Sequence, residues 1–246
     1  MSSDKQKAKE EKGATPLDQE YYDKAYFETG SKKIVDNETG KEKVWGYMGT
    51  DWSGNYLIVH GILKTFKGEV GSLLDIGAGQ GSFTDYALRA GLRAKGYDFS
   101  EFAVNTAHHY AKGHIHQADV SEGINEPDES YDLVFSSDLL EHIKKSREPK
   151  VISEFYRITK RWVFLQFPIV DKEEDVFNAE IHGEDHPLYA HFMIAGHLNL
   201  ERREWWDKLF TDTGFTIRED LVVDFRVSVP REVIKNWMNI VILEKK

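Results

Sequence analysis

The sequence predicts an α/β fold, a mostly parallel sheet with helices on both faces. Three observations lead there. Short apolar runs recur from residue 71 onward, most are followed by a stretch with helical apolar spacing, and glycines or acids stand where the early runs end.

The elements follow in order. Residues 1–16 read as a disordered polar tail and 17–56 as an aromatic, glycine-punctuated arm or lid. Residues 57–246 read as the main domain, with a loop-like insertion at about 168–198. Ser53 offers an N-cap to a helix carrying Leu57, Ile58, Ile62 and Phe66. Leu73 to Ile76 is the first strand, and its helix sets Phe83, Ala87 and Ala90 on one face. A second strand ends on Asp98, and its helix groups Ala103, Ala107, Tyr110 and Ala111. His114 to Ala118 is a weaker third strand, closed by Asp119. Tyr131 to Phe135 and Trp162 to Phe167 are the fourth and fifth, with a helix bearing Ile152, Phe155 and Tyr156 between them. Asn199 is placed to cap a helix with Trp205, Trp206, Leu209 and Phe210, which Gly214 would end. Two last strands are expected near 215–225 and 237–243.

Composition narrows the function classes. A chain of 246 residues is long enough for one sizeable core. Cysteine is absent, which excludes disulfides, thiolate metal sites and a cysteine nucleophile, and is compatible with the expected cytoplasmic location. The net charge is −10 and no strong Lys/Arg run occurs, so duplex nucleic acid is not an expected partner. No apolar run approaches the roughly 18–20 residues of a membrane span. The first twelve residues lack the apolar core of a secretory signal. Oligomeric state has no signature here.

The most informative segment is Leu74-Asp75-Ile76-Gly77-Ala78-Gly79-Gln80-Gly81. A glycine turn between strand and helix lets a ligand approach the backbone and meet helix N-terminal N–H groups. Dinucleotide sites use the same device, and turn glycines also occur without ligands. Three details separate the readings. Ser82 stands where the third glycine of a dinucleotide fingerprint would fall. Asp75, inside the strand, suits a ligand amine near the turn. Asp98, about 20 residues on, can accept both hydroxyls of a ribose. Asp119 is placed to receive an adenine amino group, or simply to cap a loop.

The segments DIGAGQG, GYDFS, QADV and YDLVFSSDLLEHI resemble the successive motifs of class I S-adenosylmethionine-dependent methyltransferases. They come in that family's order over residues 71–145, and a fainter likeness continues to 243. The resemblance implies S-adenosylmethionine as cofactor. It also implies a doubly wound, Rossmann-like sheet of seven strands with the last pair antiparallel. On the same basis Asp75, Gly77, Ala78, Gly79 and Gly81 line the methionine end, and Asp98 holds the ribose. Phe99, Asp119 and Val120 surround the adenine, and Ser137 and Asp138 stand beside the sulfonium. Asp138 and His142 are the catalytic candidates. Each has a second reading: Asp138 as the N-cap of a helix containing Glu141, and His142 as a packed or hydrogen-bonding residue.

Methyl transfer from a sulfonium is an in-line displacement in which positioning supplies much of the catalysis. A base is needed only for a weakly acidic nucleophile. The expected function is therefore methyl transfer to oxygen or nitrogen of a small-molecule acceptor. An NAD-dependent oxidoreductase would share the fold, but Ser82 and Asp75 speak against it. A non-catalytic cofactor-binding subunit stays open. The segment 171–186 holds seven acids and one lysine. It reads as a solvated loop, as a negative field for a cationic acceptor, or as a metal site drawn from Glu180, His182, Glu184, Asp185 and His186. No spacing there is diagnostic, and no metal is assigned.

Overall fold

The computed structural model describes residues 21–23, 26–27, 32–35, 42–45, 54–183, 186, 189, 196–231 and 239–246. The expected tail, the Ser53 cap, and Glu184 and Asp185 lie outside these residues.

Seven strands form one sheet: β1 (Ser72–Ile76), β2 (Arg93–Asp98), β3 (Ile115–Gln117), β4 (Tyr131–Ser137), β5 (Thr159–Phe167), β6 (Phe215–Ile217) and β7 (Asn239–Lys245). Their spatial order is β3-β2-β1-β4-β5-β7-β6. The first five run parallel, and β7 is antiparallel to both β5 and β6, as the family resemblance implies. The described helices are α1 (Gly54–Thr65), α2 (Ser82–Arg89), α3 (Glu101–Asn105), α4 (Glu148–Ile158), α5 (Arg203–Thr213) and α6 (Glu219–Ser228). Among the described residues no helix is long and apolar enough to cross a membrane.

Side-chain alternation along the strands divides the core in two. Leu73, Leu133, Phe135, Trp162, Phe164, Ile240 and Ile242 face α1, α2 and α6, which bury Ile58, Ile62, Phe83, Ala87, Val222 and Phe225. Leu74, Ile76, Val134, Val163, Leu165, Val241 and Leu243 face α4 and α5, which bury Val151, Ile152, Phe155, Trp206 and Phe210. Helices therefore cover both faces of the sheet. On the first face Phe83 stacks on Phe135 with ring centroids 3.6 Å apart, and Phe135 stacks on Phe164 at 5.7 Å.

Four local expectations change. Lys32–Val35 pairs antiparallel with Glu42–Trp45 in what reads as an irregular arm. Helix α3 stops at Asn105, short of Ala107, Tyr110 and Ala111. There Thr106 Oγ1 accepts from Gln80 Nε2 at 2.8 Å and the His108 N–H donates to the Gln80 carbonyl at 2.9 Å, turning the chain toward the glycine segment. Asn199 caps nothing: it pairs with Asn178 in a two-residue strand, and α5 opens only at Arg203, ending as expected on Gly214 at φ 107°. The strand expected over 215–225 ends at Ile217, and α6 follows. Val222 and Phe225 stand three apart, so a helix buries both on one face, and Val229, extended just past its end, packs in the same core.

Connections leave β1 toward β2 on one side and β4 toward β5 on the other. The carboxyl ends of β1 and β4 thus form the topological switch point, where open α/β sheets bind ligands. The stacked rings hold β4 and β5 under α2. Phe135→Ala should cost about 3–5 kcal/mol of stability, read from urea unfolding. A loss under about 1 kcal/mol would mean the ring is not packed in this way.

Candidate functional site

All five residues of β1 are buried, including Asp75, which accepts a hydrogen bond from Thr84 Oγ1 of α2 at 2.7 Å. Burial pushes its carboxyl up to about 7, the nearby Asp98 adds to this, and the Thr84 bond opposes it.

The turn after β1 is held by β2. The N–H groups of Gly77 and Ala78 both donate to the Tyr97 carbonyl, at 2.9 and 3.0 Å. The Gly79 N–H donates to Asp98 Oδ2 at 2.7 Å. Gly77, Gly79 and Gly81 have φ of 81°, 54° and 79°, the left-handed region that favours glycine. Gly81 has a packing reason as well: a Cβ there would lie 2.8 Å from Ala111 and Ile115 side-chain carbons.

Asp98 ends β2, half-buried, and its Oδ1 accepts the Ser100 N–H at 2.8 Å. Burial holds its carboxyl above the usual carboxylate range, against the bonds from Ser100 and Gly79. Ser100 is the N-cap of α3: its hydroxyl accepts from the Ala103 N–H at 3.1 Å and donates to the Tyr22 carbonyl at 2.5 Å. One serine so starts a helix and docks the arm. The Tyr22 ring then meets Phe99 edge-on at 6.4 Å.

At the end of β4, Ser136 Oγ donates to the Ile76 carbonyl at 2.8 Å, tying the two strand ends together. Ser137 Oγ donates to Asp138 Oδ2 at 3.1 Å, and the Asp138 N–H donates to the Gln166 carbonyl at 2.9 Å. Asp138 has φ 53°, an uncommon conformation for a residue with a Cβ. A 3-10 turn, Leu140–His142, follows, with Leu139 at its N-cap and no side-chain cap bond. The capping reading of Asp138 therefore fails.

His142 Nδ1 lies 2.9 Å from the Gly196 carbonyl. Burial lowers its pKa, against the Gly196 bond and the charge of Asp138, so the neutral ring is favoured. A neutral ring can only donate to a carbonyl, which places the proton on Nδ1 and the lone pair on Nε2. The Tyr22 ring stands edge-on to His142 at 6.1 Å and to Tyr26 at 5.1 Å. Burial and the neighbouring Tyr22, Asp138, Tyr21 and Glu141 push the Tyr26 hydroxyl well above its usual range.

Residues 51–220 match a family model described as a methyltransferase domain. The chain belongs to this methyltransferase-domain family. Its fold is also found in a Haemonchus contortus phosphoethanolamine N-methyltransferase complexed with phosphomonomethylethanolamine and S-adenosylhomocysteine, at 20% identity and TM-score 0.53. That match covers 79% of this chain but only 52% of the nematode protein, so the chain spans about half its length. A Synechocystis magnesium protoporphyrin IX methyltransferase with bound S-adenosylhomocysteine is similar at 18% identity and TM-score 0.53, covering 78% and 84% of the two chains. A Pyrococcus horikoshii protein is similar at 16% identity and TM-score 0.57, covering 92% and 99%. No curated protein matches the sequence.

Within this methyltransferase domain Asp119 caps the turn after β3. Its Oδ1 accepts from the Ser121 N–H and hydroxyl at 2.9 and 2.6 Å, and Arg147 lies 3.5 Å from its Oδ2. Val120 is buried in the core on the α4 side. The acid-rich segment does not converge among its described residues. Glu180 accepts from the Ser146 N–H and hydroxyl at 2.8 and 2.5 Å, and His182 Nδ1 accepts from the Asn178 N–H at 3.1 Å.

Sequence reasoning placed Tyr22 and Tyr26 in the arm and His197 just after the acid-rich segment without giving any of them a site role, and it missed Ser100 and Glu148. The tyrosine and histidine clusters were usable signals, but only the fold shows where they go. Glu148, in the first turn of α4, is fully buried, and Asn199 Nδ2 donates to its Oε1 at 2.9 Å. Burial, with Glu141 and Glu201 close by, raises its pKa well above the usual range, opposed by the Asn199 bond and Lys145. A group with a raised folded-state pKa keeps its proton in the fold where the unfolded chain loses it, so stability falls as pH rises above the usual glutamate range. Glu148→Gln should therefore match the wild type near pH 4 and be more stable at pH 8, by urea midpoints. Equal pH profiles for the two proteins would contradict the buried, protonated state.

Proposed function

We propose that the protein transfers the methyl group of S-adenosylmethionine to oxygen or nitrogen of a small-molecule acceptor. The observation that carries this is the joint between the glycine turn and Asp98. The turn brings backbone against the end of β2, and Asp98 spends two of about four acceptor positions on Gly79 and Ser100. The positions left over suit the two hydroxyls of a ribose.

Family membership supports the reaction class, and the similar proteins with bound S-adenosylhomocysteine support the cofactor. In this reading Asp75, behind the turn, carries the field that favours the ammonium of the methionine moiety. Phe99 and Val120 flank the adenine, and Ser137 and Asp138 border the sulfonium at the end of β4. The arm residues Tyr22 and Tyr26 roof the space between Asp98 and Asp138, keep water out and hold the acceptor near the methyl group. His142 belongs to the acceptor side. The proposal includes a cytoplasmic location, which cell fractionation would test.

Two measurements test the cofactor assignment. Asp98→Ala should weaken S-adenosylmethionine binding tenfold or more, since a hydrogen bond to a charged group is worth about 1.5–3 kcal/mol. Unchanged affinity in a folded variant would reject Asp98 as the ribose ligand, and a wild-type protein that binds NAD instead would reject the whole reading. The second uses pH. With Asp75 at about 7, pairing it with an ammonium below that pH requires release of its proton. Affinity should fall as pH drops from 7.5 to 5.5, and Asp75→Asn should flatten that slope. A wild-type affinity independent of pH over this interval would place the ammonium elsewhere.

A further inference from the structure

The turn after β4 and the chain entering the short strand Asn199–Leu200 are pinned together at two points. The Leu198 N–H donates to the Glu141 carbonyl at 2.7 Å, and the Gly196 carbonyl accepts from His142 Nδ1 at 2.9 Å. Between these pins stands His197. Each of Glu141, His142 and His197 offers a donor atom within 4.8 Å of those of the other two. His142 Nε2 lies 4.0 Å from Glu141 Oε1, and the two imidazole rings are 5.4 Å apart. Glu141 is buried, and His142 and His197 are partly so.

We propose that Glu141, His142 and His197 bind one divalent transition-metal ion of the zinc or cobalt type. Two imidazoles and one carboxylate are a donor set suited to such ions. His142 is prepared for the role in the way metal-bound histidines usually are: its far nitrogen donates to a backbone carbonyl, which fixes the ring and directs the lone pair of Nε2 outward. That carbonyl depends on a glycine. Gly196 has φ 79°, and a Cβ there would lie 3.0 Å from His142 Nδ1. The residue next to it supplies the third ligand, so one short segment provides both a ligand and the support of another.

Tetrahedral zinc, with bonds of about 2.0–2.2 Å, holds its donors about 3.3–3.5 Å apart, so closure requires side-chain shifts of about 1 Å. Three protein ligands also leave a coordination position open, the mark of catalytic rather than structural sites. Asp138 lies close enough for its charge to act on His142, which puts the ion at the end of β4. An acceptor oxygen could take the open position. That use rests on the function proposed above, whereas the binding of the ion does not.

The test needs neither cofactor nor acceptor. Chelator-stripped full-length protein is titrated with cobalt chloride and, separately, zinc chloride, followed by visible absorption for cobalt and by calorimetry for zinc. The expected result is one equivalent bound, with a cobalt ligand-field band. Glu141→Gln and His197→Gln should each weaken binding at least tenfold, while Glu180→Gln leaves it unchanged. Circular dichroism shows whether each variant folds. If Glu141→Gln does not fold, the partly exposed His197→Gln decides alone. No stoichiometric binding by the wild type, binding unaltered in His197→Gln, or binding lost only in Glu180→Gln would each overturn the proposal.

Discussion

The close contact between the glycine turn after β1 and the end of β2 is the constraint on which the rest of the site depends. Gly96 makes it possible: a Cβ there would sit 2.6 Å from Ile115 Cδ1 and 2.7 Å from Ala78 Cβ. With that space open, Ala78, Ala111 and Ile115 pack as a small cluster of their own. The turn then comes within reach of the Tyr97 carbonyl and the Asp98 carboxylate, which together take three of its N–H groups. Buried backbone donors must find partners, so the same bonds that stabilise the turn also set its shape. Asp98 is left at the switch point of the sheet with acceptor capacity to spare.

Carboxylates dominate this end of the sheet. Asp75, Asp98 and Glu148 are all held above the usual carboxylate range, chiefly by burial. Such groups cost stability near neutral pH, and proteins keep that cost where function benefits from it. A cofactor bearing a sulfonium and an ammonium would favour ionisation of Asp75 and Asp98 beside it, whereas Glu148, held protonated by burial, adds no charge. The φ of Asp138 belongs with these features, because a non-glycine residue in the left-handed region is strained backbone beside the proposed reacting centre. The second histidine and the glycine that supports His142 arrive from the chain beyond residue 195. The two ends of the site are therefore built by distant parts of the sequence.

The sequence by itself determined the strand–helix alternation, the glycine turn, Asp75 inside β1 and Asp98 at the end of β2. These are local: an apolar run, a turn that needs positive φ and an acid at a strand end are each written within a few residues. The number of strands and the antiparallel last pair came from likeness to a family, and the order of the strands from the structure, since pairing partners leave little trace in one chain. Tertiary structure decided the rest. It ended α3 at Asn105 through bonds to Gln80, and it made a helix of 219–228, where spacing fits both α1 and the sheet. It also withdrew Asp138 from capping. Of the histidines conspicuous in or just after the acid-rich run, His182 and His186 stack on each other with centroids 4.5 Å apart. His142 and His197 are 55 positions apart in the chain, and they are brought together by contacts between the two segments, among them the backbone bond from Leu198 to Glu141 and the bond from the His142 ring to the Gly196 carbonyl. A contact made by folding two remote segments against each other has no local signature, and so it could be read only from the structure.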